Sequence, residues 1–246
     1  MIIGGLQKTT LIDFQGCVAC TVFLVGCNFR CPFCHNKDLV TLKNFKASGI
    51  SEISRDEFFR FLKSKKNILD GVCITGGEPT INPGIVEFCR EIKDLGLKVK
   101  LDTNGSNPNV VKKLLDLNLL DRVAIDIKTR FQDYNPLSGP AASFGVVKKS
   151  INLIWLAKVP LEFRTTIVPR IHNKNVLKKV AGELVELAKE SKIPKEKIVW
   201  FLQPFKPQNC LDPTFQEIKP FSQAELDTFL DVVRRILPQT QLRTNC

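Results

Sequence analysis

The sequence has no long hydrophobic run. Its longest strongly apolar stretch is CTVFLVGC, at positions 20–27, whereas a membrane-spanning helix needs about 20 apolar residues. The first ten residues, MIIGGLQKTT, also lack the charged and then apolar pattern of a secretory signal. We therefore expect a cytoplasmic protein with no membrane partner.

Low-complexity segments, Ser/Gly-rich linkers and close internal repeats are missing as well. Hydrophobic residues make up 43% of the 246 positions, which is enough for a sizeable core and argues against disorder. A chain of this length suits one α/β barrel-like domain. We expect a single domain over 1–246, with a functional loop at 27–36 and a C-terminal helix and tail over about 205–246.

Acidic residues are fewer than basic ones, 25 against 36, and the formal charge is +11. The basic residues are spread along the chain, with one tight run at Lys63, Lys65 and Lys66. No basic motif interleaved with aromatic residues is present, so we do not expect a nucleic-acid partner. A lysine-rich surface explains the charge, and docking to an acidic partner such as an electron-donor protein is the alternative.

Short β-type runs alternate with helix-type stretches along the chain. The runs lie at 21–26, 71–76, 98–104, 122–128, 161–169 and 197–204, and the helical patterns at about 54–65, 83–95, 108–118, 144–157, 173–190 and 222–236. Six β-then-α units in a row favour a parallel sheet with helices outside, and right-handed crossovers curl such a sheet. The pattern predicts an α/β fold, a partial TIM-like (β/α)6 barrel.

Three of the nine cysteines form one compact group directly after the first β-type run. Cys27, Cys31 and Cys34 have the spacing C-x3-C-x2-C, and thiolates are soft ligands for iron–sulfur clusters or zinc. A four-iron cubane usually takes four cysteines, so three would leave one iron open, as in catalytic metal sites. The alternative is a zinc loop completed by His35 or by a distant cysteine.

Further unusual residues stand at the ends of later β-type runs, where β/α folds place their chemistry, and one more, Arg164, lies within the fifth run. They are Gly76, Gly77 and Glu78 in TGGEP, Asp102 and Thr103 in LDTNG, Asp126 and Lys128 in AIDIK, and Arg164 in FRTTIVP. The two glycines let a backbone approach a ligand closely, and Glu78 suits a cationic amine. For the aspartates the alternative is the capping of turn amides, and for Arg164 it is pairing with a core carboxylate.

The segment CNFRCPFCHN, at 27–36, resembles the signature of the radical S-adenosylmethionine superfamily, including an aromatic residue, Phe33, before the third cysteine. The resemblance implies that the three cysteines hold a [4Fe–4S] cluster whose open iron is chelated by S-adenosyl-L-methionine. It also implies reductive cleavage of this cofactor to a 5′-deoxyadenosyl radical. Phe33 and His35 are expected beside the cofactor.

TGGEP, LDTNG and AIDIK resemble motifs of the glycyl-radical enzyme activating group within that superfamily. The resemblance implies that Gly76, Gly77 and Glu78 hold the amino group of the cofactor. It implies that Asp102, Thr103 and Asp126 bind a monovalent cation beside it. Lys128 would reach the cofactor carboxylate, and Arg164 would face the cofactor or the substrate peptide.

The segments GGLQKTTLIDFQG, LDTNGSNP and FRTTIVP further resemble the activating proteins of anaerobic ribonucleoside-triphosphate reductases. This implies an activase that installs a glycyl radical on such a reductase, with flavodoxin or ferredoxin as electron donor. Some relatives have a histidine where this chain has Lys206. The alternatives are a radical enzyme acting on a small molecule or a tRNA base, and a non-enzymatic zinc or iron–sulfur binding protein.

The remaining cysteines offer a weaker metal hypothesis. Cys17 and Cys20 form a C-x2-C pair, and Cys210 and Cys246 lie in loop or tail positions. A second cluster on these four residues is conceivable. The apolar surroundings of Cys20, Cys73 and Cys89 instead predict core positions for those three.

Overall fold

The computed structural model of the protein describes residues 1–243, and its centre is one eight-stranded sheet. The strands are β1 (Ile3–Thr10), β2 (Ala19–Leu24), β3 (Gly71–Gly76), β4 (Lys98–Thr103), β5 (Arg122–Asp126), β6 (Leu161–Ile167), β7 (Val199–Pro204) and β8 (Thr240–Leu242). They lie side by side in chain order. Strand β1 pairs antiparallel with β2, and every later neighbour pair is parallel.

Helices connect the parallel strands. They are α1 (Lys37–Val40), α2 (Leu42–Ala47), α3 (Arg55–Ser64), α4 (Ile85–Asp94), α5 (Pro108–Asp116), α6 (Tyr134–Ser138), α7 (Phe144–Leu156), α8 (Lys174–Glu190) and α9 (Gln223–Arg234). Two begin as the sequence predicts: Ser54 Oγ accepts from the amide of Glu57, and Ser222 forms a reciprocal capping box with Glu225. None of the helices within 1–243 is long and apolar enough to cross a membrane.

The predicted partial barrel is confirmed. Strands β2 to β7 are each followed by at least one helix, which gives the six predicted units. The sheet stays open, since β1 and β8 occupy its two edges in the strand order of the described residues. The residues at the carboxyl ends of neighbouring parallel strands therefore gather at one end of a curved sheet.

Two strands and three short helices differ from the sequence prediction. Strand β1 has three exposed residues in a row in its second half, and β8 has only three residues, so neither shows a run that predicts a strand. The first predicted run, 21–26, is shifted to Ala19–Leu24. Helices α1, α2 and α6 have four to six residues, too few for a helical period to show in the sequence.

Candidate active site

A cavity lies at the carboxyl ends of strands β3 to β6. Together with the open solvent at its mouth, it takes up about 830 Å³. All but one of the residues predicted for the site line it: Cys27, Cys31, Phe33, Cys34, His35, Gly76, Gly77, Asp102, Thr103, Asp126, Lys128 and Arg164. The exception is Glu78.

The loop 27–36 forms one wall of this cavity, and backbone hydrogen bonds hold it at several points. The amide of Cys27 donates to Val40 O at 2.9 Å, and the amide of Arg30 donates to Ser138 O at 2.8 Å. The Cys31 thiol lies 3.1 Å from Ser138 Oγ. The loop is thus anchored to both α1 and α6, and this holds the three cysteines on one wall.

Burial controls the acidity of two of these thiols. It raises the pKa of Cys27 to about 12 and that of Cys34 to about 11. Metal ligation requires thiolates, so binding of a cluster would release protons from these side chains. Buried thiols are otherwise inert, and a metal is the group that would draw them into the thiolate form.

The glycines of TGGEP brace the loop from behind. A Cβ at Gly76 would lie 2.3 Å from the backbone of Leu24, and one at Gly77 would lie 2.1 Å from Gly26 O. The amide of Gly77 donates to Leu24 O at 2.9 Å, and that of Glu78 donates to Gly26 O at 2.7 Å. The absence of a side chain at Gly76 and Gly77 therefore lets their backbone pack against the base of the cysteine loop.

Glu78 lies behind the cavity wall and is fully buried. Its Oε1 accepts from the amide and hydroxyl of Thr80 at 3.0 and 2.5 Å and from Thr103 Oγ1 at 2.6 Å, and its Oε2 accepts from the amide of Asn104 at 2.6 Å. Burial raises the pKa of Glu78 despite these bonds. This carboxylate ties the end of β4 to the TGGEP turn, and its contact with a cofactor amine stays a prediction.

The charged floor of the cavity comes from neighbouring strands. Asp126 and Arg164 are paired in the register of β5 and β6. Arg164 Nε lies 2.9 Å from Asp126 Oδ1, and its Nη1 lies 2.5 Å from Asp102 Oδ2. Lys128 Nζ lies 2.9 Å from Asp126 Oδ2. Although burial alone would raise the pKa of Asp126, Arg164 and Lys128 hold it well below its usual range.

A second layer of charged side chains lies beneath the cavity floor. Lys100 and Glu162 stand two residues before Asp102 and Arg164 on β4 and β6, and residues two apart on a strand face the same side. Lys100 is fully buried, with Nζ 2.9 Å from Glu162 Oε1 and 3.2 Å from Asp102 Oδ1. Its ammonium also donates to the backbone oxygen of Asp13. The carboxylate of Asp102 therefore has a basic side chain on each side.

His35 and Phe33 flank the mouth of the loop. The ring of His35 stacks on Phe205 with centroids 5.7 Å apart, and its Nε2 has no hydrogen-bond partner among the described residues. Phe33 is buried within the core. Lys206, which stands where some relatives have a histidine, follows Phe205 directly in the chain.

Five residues line the cavity that were not predicted for the site: Phe29, Asn36, Thr75, Asn104 and Thr166. All five have a signal in the sequence, because they stand inside the motifs already identified. Asn36 donates to Gly76 O at 3.0 Å, and Asn104 donates to Asn28 Oδ1 at 3.0 Å. These amides join the cysteine loop to the strand ends and fix the width of the cavity.

The donor set fits a cluster better than a single ion. No three His, Cys, Asp or Glu side chains among residues 1–243 converge closely enough to hold one metal ion. A four-iron cluster takes its ligands at separate irons, which suits three thiols spread along one wall.

The other cysteines lie at different ends of the sheet. Cys20 lies near the amino end of β2, and burial raises the pKa of its thiol to about 12. Cys17 lies just before this strand and packs against Phe14. Cys210 lies in a loop beside the cavity. In that loop the amide of Asp212 donates a hydrogen bond to Pro32 O at 2.9 Å. The structure thus separates the first pair from Cys210, and Cys246 lies outside the described residues. Cys73 and Cys89 are in the core, as predicted.

We therefore expect the double change Cys17→Ala and Cys20→Ala to leave iron binding intact. After anaerobic reconstitution, wild type and variant should both hold about four irons per chain. Iron and sulfide analysis of the two proteins measures this. A fall to about half of the wild-type iron in the variant would show a second cluster at this pair.

Comparison with known proteins places this site in a family. The model of the "Radical SAM superfamily" matches residues 21–181, a span that contains the cysteine loop and all the strand-end motifs. The chain belongs to this superfamily. Enzymes of the superfamily use a [4Fe–4S] cluster and S-adenosylmethionine, and this chain is an enzyme of that class.

Individual relatives agree over long stretches. The chain is 29% identical over 248 residues to "Putative glycyl-radical enzyme activating enzyme MJ1227" of Methanocaldococcus jannaschii, covering 99% of this chain and 96% of that protein. It is 30% identical over 132 residues to the pyruvate formate-lyase-activating enzyme of Clostridium pasteurianum, covering 50% and 53%. The crystal structure of Streptococcus suis SuiB matches the fold with a TM-score of 0.62 at 16% identity, over 92% of this chain and 48% of that one.

Proposed function

We propose that this chain is an activating enzyme that cleaves S-adenosylmethionine and generates a glycyl radical on a partner enzyme. The observation that carries the proposal is the cavity, where three thiols of one loop share a wall with charged side chains of β4 to β6. The similarity to a glycyl-radical enzyme activating enzyme over nearly the full length supports it. Residues 1–246 then form one radical S-adenosylmethionine domain.

Cys27, Cys31 and Cys34 are the proposed ligands of the cluster. When bound and reduced, that cluster supplies the electron that splits S-adenosylmethionine to a 5′-deoxyadenosyl radical. Phe33 and His35 border the proposed site of the cofactor.

The strand-end residues are the proposed holders of the methionine part of the cofactor. Lys128 is 19% exposed in its side chain and stands at the end of the β5 motif. Its ammonium can turn one of its donors to a carboxylate while keeping Asp126 as partner. The backbone of Gly76 and Gly77 lines the same cavity and suits the cofactor amine, and the carboxylate of Glu78 lies directly behind it.

The proposed partner is an anaerobic ribonucleoside-triphosphate reductase, with flavodoxin or ferredoxin as electron donor. The sheet is open between its edge strands, which leaves room for an extended peptide segment at the strand ends. Glycine suits such a segment because it can bend into a narrow site without a side chain. Its Cα hydrogen would then lie beside the 5′ carbon, and proximity directs the radical.

The experiment incubates the reduced, reconstituted protein anaerobically with S-adenosylmethionine and the reductase. We expect a doublet in the electron paramagnetic resonance spectrum that collapses when glycine in the reductase is α-deuterated. The Cys34→Ala variant is the matched control and should give no protein radical. Formation of 5′-deoxyadenosine only when a small metabolite or a tRNA is added, with no protein radical, would contradict the proposal and favour the alternative substrate class.

A further inference from the structure

The oxygen atoms expected to bind a monovalent cation already have partners within the protein. Asp126 uses both carboxylate oxygens, one on Arg164 Nε and one on Lys128 Nζ, each at 2.9 Å. Thr103 Oγ1 donates to Glu78 at 2.6 Å and accepts from the amide of Gly105 at 3.0 Å. These two predicted ligands do not fit a metal cation in this structure.

Asp102 is enclosed in the same way. Its Oδ2 accepts from Arg164 Nη1 at 2.5 Å. Its Oδ1 makes no hydrogen bond among the described residues, yet it is buried and lies 3.2 Å from the ammonium of Lys100. A metal ion at this oxygen would have to share it with the Lys100 ammonium, and two positive charges around one buried carboxylate oxygen repel each other.

Arg164 is built to stay between the two aspartates. Its side chain is only 12% exposed, and the register of β5 and β6 places it directly beside Asp126. A guanidinium carries a delocalised charge and several donors in a fixed plane, so one group can serve two carboxylates at once. Asp102, Asp126 and Thr103 were expected to share a cation. In the structure the guanidinium of Arg164, on β6, supplies a positive charge beside the two aspartates.

We propose that the guanidinium of Arg164 takes the place of a metal cation in this cavity, so that S-adenosylmethionine binds without a monovalent metal ion. Arg164 is then a positioning residue: it neutralises Asp102 and Asp126 and holds both at the cavity floor. The inference rests on the proposed function only in taking S-adenosylmethionine as the ligand.

The test measures the affinity of the reconstituted full-length protein for S-adenosylmethionine by equilibrium dialysis. Potassium, sodium and choline chloride are compared at equal ionic strength. Wild type should bind equally well in all three salts. Arg164→Gln leaves two carboxylates without their shared partner, so it should bind about tenfold more weakly in choline and recover in potassium or sodium.

A second measurement needs no cofactor. Thermal unfolding of the protein should occur at the same temperature in potassium and in choline for wild type, whereas potassium should stabilise Arg164→Gln by occupying the vacated position. Arg164→Lys keeps the charge and should resemble wild type in its indifference to the salt. Arg60→Gln, an exposed change on α3, is the matched control and should respond to no cation.

Wild-type affinity that falls when potassium and sodium are removed would overturn the inference, whatever the variants do. This comparison decides the question even if Arg164→Gln does not fold. Failure of the proposed function gives a different result, because the wild-type protein would then bind no S-adenosylmethionine in any salt.

Discussion

Replacing any one of Cys27, Cys31 or Cys34 by alanine is expected to abolish both the reconstituted cluster and the cleavage of S-adenosylmethionine. Each thiolate would hold one iron, and two cysteines cannot retain a four-iron cubane. Iron and sulfide content, the electron paramagnetic resonance signal and 5′-deoxyadenosine formation measure the loss.

Cys89→Ala is the matched control for this loss. Cys89 is fully buried in α4, away from the cavity lining, so its replacement removes a sulfur atom without touching the proposed ligands. This variant should keep its iron and its cleavage activity. Cleavage that persists in a triple alanine variant of Cys27, Cys31 and Cys34 would show that the cluster assignment is wrong.

The sequence was sufficient to predict which residues line the cavity, because the order and direction of the strands determine which strand ends lie together. Once the alternation of strands and helices indicates a parallel sheet, the carboxyl ends of its strands must converge. Asp102, Asp126 and Arg164 are far apart in the chain, yet all three line one cavity. Asp102 and Asp126 lie near the ends of their β-type runs, and Arg164 lies within the next run.

Which groups pair within that cavity could not be predicted. The contact between Arg164 and Asp126 depends on the register of β5 and β6, and the reach of Arg164 to Asp102 depends on how the sheet curves. Neither quantity is encoded in a short motif. The alternative reading of Arg164, pairing with a core carboxylate, describes its contacts in the structure.

The edges of the sheet were missed for a different reason. Strand β8 has three residues and gains its hydrogen bonds from β7, so tertiary contacts form it where local propensity is weak. The segment after 204 is accordingly more than a helix and tail: Thr240 is paired in register with Trp200. This strand adds a further hydrogen-bonded edge beyond the six predicted units.

Replacing Glu78 by alanine is expected to destabilise the protein by about 3 kcal/mol and to weaken the binding of S-adenosylmethionine. Four donors from Thr80, Thr103 and Asn104 converge on this one buried carboxylate, and alanine would leave them unsatisfied. Thr103 and Asn104 line the cavity, so a shift of these two residues would change the cavity wall and weaken the binding of the cofactor. Urea unfolding and equilibrium dialysis measure the two effects.

Glu78→Gln separates the charge of this side chain from its hydrogen bonds. Burial disfavours the charged form, as the raised pKa of Glu78 indicates, so removing the charge recovers part of that cost. The amide nitrogen, however, would meet the donating amide of Asn104 or the donors at Oε1. We therefore expect Glu78→Gln to lose less stability than Glu78→Ala, about 1–2 kcal/mol. Glu186→Gln, an exposed change on α8, should leave both measurements unchanged. If Glu78→Gln weakened the cofactor while stability stayed at the wild-type value, Glu78 would contact the cofactor directly and the bracing role would be wrong.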